Sequence, residues 1–135
     1  MRVHAVAVRV AVLALAATAA AWTWSHYGAV YVAGESMAPA LRRGDLVIFE
    51  RRPRAVFERD VVWISKPGWP DGVLHRVREV LLDDRLVLQG DANPVPDLEP
   101  TDPRDVLGVV RVIVPTGRFV DAVVRIARMV QSHAT

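Results

Sequence analysis

The sequence holds four serines, four histidines and no cysteine. A serine nucleophile needs a base within hydrogen-bond reach inside a folded domain. Ser25, His4 and His26 lie in or beside a long apolar segment, and Ser132 and His133 lie in the last few residues, where chains commonly fray. Ser36 or Ser65 with His75 is the pairing that remains. Its chemistry would be attack of the hydroxyl on an acyl carbon, with His75 taking the proton. Asp91 and Asp97 stand in Gln89-Gly90-Asp91-Ala92-Asn93-Pro94-Val95-Pro96-Asp97. Either could accept from His75 and fix its tautomer, as the third member of a triad does. Turn chemistry explains an Asp between Gly and Asn equally well.

Ser36 sits in Gly34-Glu35-Ser36-Met37-Ala38-Pro39. Gly34 would let the backbone approach a substrate closely, and Pro39 biases Ala38 toward an extended form. A serine on such a turn can be exposed with backbone N–H groups nearby as oxyanion donors. Taken alone, a serine between Gly and Pro is more often an ordinary loop residue. His75 lies in the run from Val73 to Val80, where Val73, His75, Val77 and Glu79 alternate with Leu74, Arg76, Arg78 and Val80. A satisfied, half-buried histidine is the commoner fate of such a residue.

Other chemistries lack support. Without cysteine there is no disulfide, thiol nucleophile or thiolate metal site. No HxxH or HExxH spacing and no glycine-rich phosphate loop occurs, so no metal or other cofactor is expected. The formal net charge is +2 and the pI about 9.7, carried almost wholly by arginine, with Lys66 the single lysine. The arginines are scattered and do not interleave with aromatics, so nucleic acid is not an expected partner. A solvated surface with some affinity for acidic lipid fits better.

Length allows one domain of about 100 residues plus an anchor. Val10 to Trp24 is apolar, preceded by Arg2, His4 and Arg9 and closed by Trp22, Trp24 and Tyr27. Counted from Val3, with Arg9 reaching the headgroups, it is long enough to span a bilayer, and the aromatic rings suit its interfacial belt. A cleaved signal peptide, with Ala17-Thr18-Ala19 as its small-residue site, explains the composition about as well. The positive-inside rule gives a modest preference for a cytoplasmic N-terminus and an outward-facing domain. Beyond Asp45 come short β-prone runs: Leu46–Phe49, Asp60–Ile64, Val73–Val80, Leu86–Leu88 and Val106–Val114. The stretch Lys66 to Gly72 reads as the turn between the second and third runs, and Asn93 to Pro96 as a loop. Arg118 to Gln131 reads as an amphipathic helix that lies on the membrane, packs on the domain or simply covers surface. The organisation expected is an anchor over 1–32, a β-rich domain over 33–117 and a helical tail over 118–135.

The order of these motifs resembles the type I signal peptidases. Gly34 to Leu41 is similar to their nucleophile box, Ser-Met-x-Pro-x-Leu, and Arg43-Gly44-Asp45-Leu46-Val47 to the following Gly-Asp-x-Val box. Leu74-His75-Arg76-Val77 resembles the base box. Gly90-Asp91-Ala92-Asn93 with Asp97 resembles the acidic box, and Leu107 to Pro115 the closing strand. His-Arg in place of Lys-Arg marks the endoplasmic-reticulum-type branch. The resemblance implies a mainly β, signal-peptidase-like sheet or barrel with an N-terminal transmembrane helix. It implies that Ser36 attacks the scissile carbonyl, that His75 is the base, and that Asp97, or else Asp91, orients it. Gly34, Met37 and Pro39 would line the substrate site, and Lys66 cannot serve as a catalytic lysine. Gly34 also stands where some relatives carry an assisting serine. Implied partners are exported preproteins with small residues at the cleavage site, the bilayer and accessory membrane subunits. The implied setting is a single-pass protein of the plasma membrane with its domain outside. Two other readings remain: a maturation protease for one dedicated substrate, and a non-catalytic membrane-anchored binding module.

Overall fold

The computed structural model describes residues 2–119, 121–123 and 125. The apolar segment forms α1 (Arg2–His26), uninterrupted by Gly or Pro. Its polar side chains satisfy themselves on the helix: Thr18 Oγ1 donates to Ala14 O at 2.8 Å and Thr23 Oγ1 to Ala19 O at 2.9 Å. The apolar stretch Ala5–His26 has 22 residues. At 1.5 Å per residue this is about 33 Å, enough for a hydrocarbon core of about 30 Å. None of it is buried against the rest of the protein. Its C-terminal end is aromatic, with Trp22 stacked on His26 at 4.4 Å and edge-on to Tyr27 at 6.4 Å.

The chain passes from α1 into a six-stranded sheet without a loop. Its strands are β1 (Tyr27–Tyr31), β2 (Leu46–Arg51), β3 (Val61–Lys66), β4 (Trp69–Val80), β5 (Leu86–Gln89) and β6 (Val106–Val114). They lie in the order β1-β2-β6-β3-β4-β5, every pair antiparallel. The β-prone runs of the sequence account for five of the six. β1 falls inside the stretch assigned to the anchor, because Tyr27-Gly28-Ala29-Val30-Tyr31 follows the apolar segment without punctuation. The turn expected over Lys66–Gly72 is also shorter than expected. Lys66 pairs with Trp69, so only Pro67 and Gly68 turn, and β4 runs on through Gly72.

The sheet buries apolar side chains on both faces. Val32, Met37, Leu41, Val47, Val61 and Leu74 form one core, and Val62, Ile64, Val77, Leu86, Leu88 and Val109 the other. β3 supplies both, which is why it reads as a continuous apolar run and not as an alternation. Strict alternation would set Val80 opposite Val73 and Val77. The register shift between Val77 and Glu79 brings it onto their side, against the second core.

β6 inserts between β2 and β3 and closes the loop that precedes β2. Asp45 is 1% exposed. Its carboxylate accepts from Arg42 N at 2.9 Å and from Gly117 N at 3.1 Å, while Thr116 Oγ1 donates to Gly44 O at 2.6 Å. Gly44 has φ 87°, a conformation that strains any side chain. After Pro115 the backbone is helical at 116–119, 121–123 and 125. The rest of the expected tail helix lies outside the described residues.

Candidate active site

His75 is placed by β4, opposite Val62 of β3, and is 4% exposed. A buried imidazole needs partners for its ring nitrogens. Its Nδ1 lies 2.8 Å from Asp97 Oδ2, with the two side chains 5% and 8% exposed. Nδ1–H donating to this carboxylate leaves Nε2 as an acceptor, the tautomer a general base requires. Trp69 packs edge-on against the imidazole with centroids 5.8 Å apart, and Lys66 Nζ covers the outer face of Trp69 at 4.7 Å. Lys66 Nζ also donates to Thr101 Oγ1 at 3.4 Å, so it is engaged by Trp69 and Thr101.

The two aspartates left open by the sequence have separate partners. Adjacent strand residues point to opposite faces, so Arg76 projects away from the side of His75. Its Nε donates to Asp91 Oδ1 at 2.7 Å and its Nη2 to Asp91 Oδ2 at 2.5 Å, with Arg78 Nη2 at 3.9 Å. Hydrogen bonding from Arg76 holds the Asp91 carboxyl below the ordinary carboxylate range, with the Arg76 and Arg78 charges adding to the effect. The same pairing raises Arg76. Asp91 follows β5 by two residues and meets the outward arginine. Asp97 returns over the other face after the turn, anchored by its own N–H donating to Leu88 O at 2.8 Å.

Ser36 is half-buried on a turn after β1. Ala92 N donates to Ser36 O at 2.8 Å. A Cβ on Gly90 would lie 2.6 Å from Ser36 O, so only glycine lets the two backbones approach this closely. One loop, residues 90–97, therefore braces the serine at its start and the histidine at its end. Among the described residues neither the Ser36 hydroxyl nor its N–H has a hydrogen-bond partner, and no bond joins Ser36 to His75. Catalytic hydrogen bonds in unliganded sites are often open in this way.

Ser36 opens onto a cavity of about 160 Å³ whose walls include Val32, Met37, Trp63 and Leu74. Of the residues expected to line a substrate site, Gly34 and Met37 are in this wall and Pro39 is not. Met37 is also a core residue, 1% exposed. A Cβ at Gly34 would meet nothing within 4 Å, so that edge is open. Sequence reasoning missed Tyr31, Trp63 and Asp71 as wall residues. The alternation of β3, with Trp63 on the side of Val61, is the signal that could have found one of them. It also missed Gly90 as the contact beneath Ser36.

A mainly antiparallel sheet with an apolar N-terminal helix fits a known class, and residues 13–111 match the Peptidase S24-like family. The chain belongs to that family and is a type I signal-peptidase-like protein of the endoplasmic-reticulum type. Over 107 residues it is 35% identical to a protein of Komagataella phaffii, the signal peptidase complex catalytic subunit SEC11. That match covers 67% of this chain and 63% of the relative.

Proposed function

We propose that this chain is a membrane-anchored serine endopeptidase that removes signal peptides from exported preproteins. The observation that carries the reading is the buried His75–Asp97 pair at 2.8 Å, linked by one loop to a half-buried serine at the edge of a small, largely apolar cavity. In this mechanism Ser36 Oγ attacks the scissile carbonyl carbon while His75 Nε2 takes its proton. The Ser36 N–H, unpartnered in the fold, donates to the developing oxyanion. His75 then passes the proton to the leaving amine, the C–N bond breaks, and an acyl-enzyme remains. Water then gives a proton to His75 Nε2 as its oxygen bonds the acyl carbon, the ester bond to Ser36 Oγ breaks to release the acid, and His75 returns the proton to Ser36 Oγ. Asp97 keeps the Nδ1 proton in place throughout and stabilises the imidazolium.

The cavity is walled largely by apolar side chains, Val32, Met37, Trp63 and Leu74 among them, which suits an uncharged residue beside the scissile bond. The reading of that residue as alanine comes from the likeness to signal peptidases. α1 would hold the domain at the bilayer, with the domain outside the plasma membrane. The Komagataella phaffii relative is named as a subunit of a complex, which favours accessory membrane subunits here too. The test is cleavage of a preprotein bearing an Ala-x-Ala site by membranes containing wild type, Ser36→Ala or His75→Ala. Cleavage by wild type and loss in both variants is expected. Cleavage that survives Ser36→Ala would refute the catalytic assignment.

A further inference from the structure

We propose that a second cleft, remote from Ser36, binds the phosphodiester headgroup of an anionic phospholipid; the inference rests on the reading of α1 as a membrane span. The cleft has a volume of about 570 Å³ and lies between the loop after β2 and the β4–β5 turn. Arg52, Arg54 and Arg104 line it, with Asp84 as the opposing charge in its wall. Arg104 is already held by Asp102 at 2.7 Å. Arg52 and Arg54 have no hydrogen-bond or ion-pair partner among the described residues, although their neighbours Glu50, Asp83 and Asp102 are each paired with an arginine. Two unpaired guanidinium groups at one cleft fit a phosphate, whose oxygens accept from their fixed forks.

The strand register sets the level of this cleft relative to α1. Tyr27, the first residue after the helix, pairs with Glu50. Arg51 then donates from Nε to Tyr27 O at 3.0 Å, level with the helix end. Arg52 follows it, at the end of β2 that pairs with Tyr27, where the aromatic end of α1 meets the sheet; Trp and Tyr are the residue types that mark the headgroup layer. Ser36, by contrast, follows the far end of β1. The tip of the β4–β5 turn carries Leu82, fully exposed beside Asp84. An exposed leucine on the turn that supplies Asp84 to the cleft wall suits the boundary between acyl chains and headgroups.

The test uses the full chain in a non-ionic detergent, titrated with short-chain phosphatidylglycerol, short-chain phosphatidylcholine and inorganic phosphate, with binding read by native mass spectrometry and calorimetry. Saturable binding of phosphatidylglycerol is expected, weakened about 30-fold in Arg52→Ala/Arg54→Ala, since each arginine near an anionic lipid contributes about fivefold. Arg42→Ala/Arg43→Ala removes equal charge near Ser36 and is expected to leave this binding within about twofold. Equal weakening by that pair would reduce the effect to general charge and overturn the proposal, as would absence of saturable binding. Inorganic phosphate binding as tightly as the lipid, with the same loss in Arg52→Ala/Arg54→Ala, would overturn the lipid assignment. Circular dichroism confirms that each variant folds. The readout needs no peptidase activity, so it stands apart from the failure of that reading, and carbonate extraction of membranes tests the anchor separately.

Discussion

Asp97→Asn and Asp91→Asn remove chemically identical groups six residues apart, and the structure predicts opposite consequences. The Asp97→Asn side chain would keep the shape of the site and could still bond His75. Its amide can donate to Nδ1, which stabilises the tautomer with the proton on Nε2, where it blocks acceptance from Ser36. Loss of a triad carboxylate in this manner lowers kcat by about 10⁴. Stability should change little, because both residues remain buried and paired. Asp91→Asn instead breaks a bidentate pair whose side chains are 24% and 14% exposed. Partial solvation puts the loss between those of exposed and buried pairs, about 1–2 kcal/mol. For a sheet domain of this size that lowers Tm by about 5–15 °C. The assay is single-turnover cleavage of an Ala-x-Ala preprotein, well below Tm, alongside thermal melts by circular dichroism. If Asp97→Asn keeps activity within about tenfold of wild type while folded Asp91→Asn is inactive, the assignment of the two aspartates is wrong.

Three other outcomes follow from the same geometry. Because Asp91 is held below the ordinary carboxylate range, its contribution should be present above the unfolded value of about 3.9 and lost as pH falls through the lower folded value. The Tm gap between wild type and Asp91→Asn should therefore narrow progressively as pH falls below the ordinary carboxylate range; a gap that does not narrow on acidification would count against it. Gly90→Ala should push the Ser36 carbonyl away and lower the cleavage rate by about 10²-fold, with a smaller effect on Tm, read by the same two assays. Asp45→Ala strands one buried and one partly buried N–H donor and should cost about 1–3 kcal/mol, measured by urea unfolding, whereas Asp45→Asn should recover part of that loss.

The strands were legible where turn residues bound them: Val106 to Val114 is β6, residue for residue. β1 was not, because an apolar helix running straight into a strand leaves no break in composition. The extension of β4 through Gly72 was hidden by Pro and Gly, which read as turn even where Gly72, at φ 78°, lies within the strand. Elimination among few candidates reached His75 and left Ser36 and Ser65 open; the resemblance of the motif around Ser36 chose between them. The choice between Asp91 and Asp97 was not, because both follow β5 within one loop. What separates them is the opposite facing of His75 and Arg76 on β4, together with the path of the loop between them. The walls of the cavity were equally hidden, since Tyr31, Trp63 and Leu74 come together only when β3 and β4 pair and β1 reaches them from the far edge.

That loop also explains how a site can be kept in register when its parts share no element. Ser36 follows β1, at one edge of the sheet, and His75 lies on β4, with three strands between them in the sheet order. Relative displacement of these strands would separate the proposed nucleophile from the proposed base, and the 1 Å tolerance of a proton transfer leaves little room for it. Residues 90–97 join the two without passing through the intervening strands. Ala92 N holds the Ser36 carbonyl in the space that Gly90 leaves free, Asp91 is fixed to Arg76, Asp97 N bonds Leu88 O, and the Asp97 side chain holds His75. Each of the four attachments uses a different partner, so the loop cannot slide as a body. The Arg76–Asp91 pair is therefore more than a surface ion pair: it fixes the middle of the brace whose two ends set the distance between Ser36 and His75. On this argument the residual activity of Asp91→Asn should fall more steeply with temperature than that of wild type, well before the sheet itself melts.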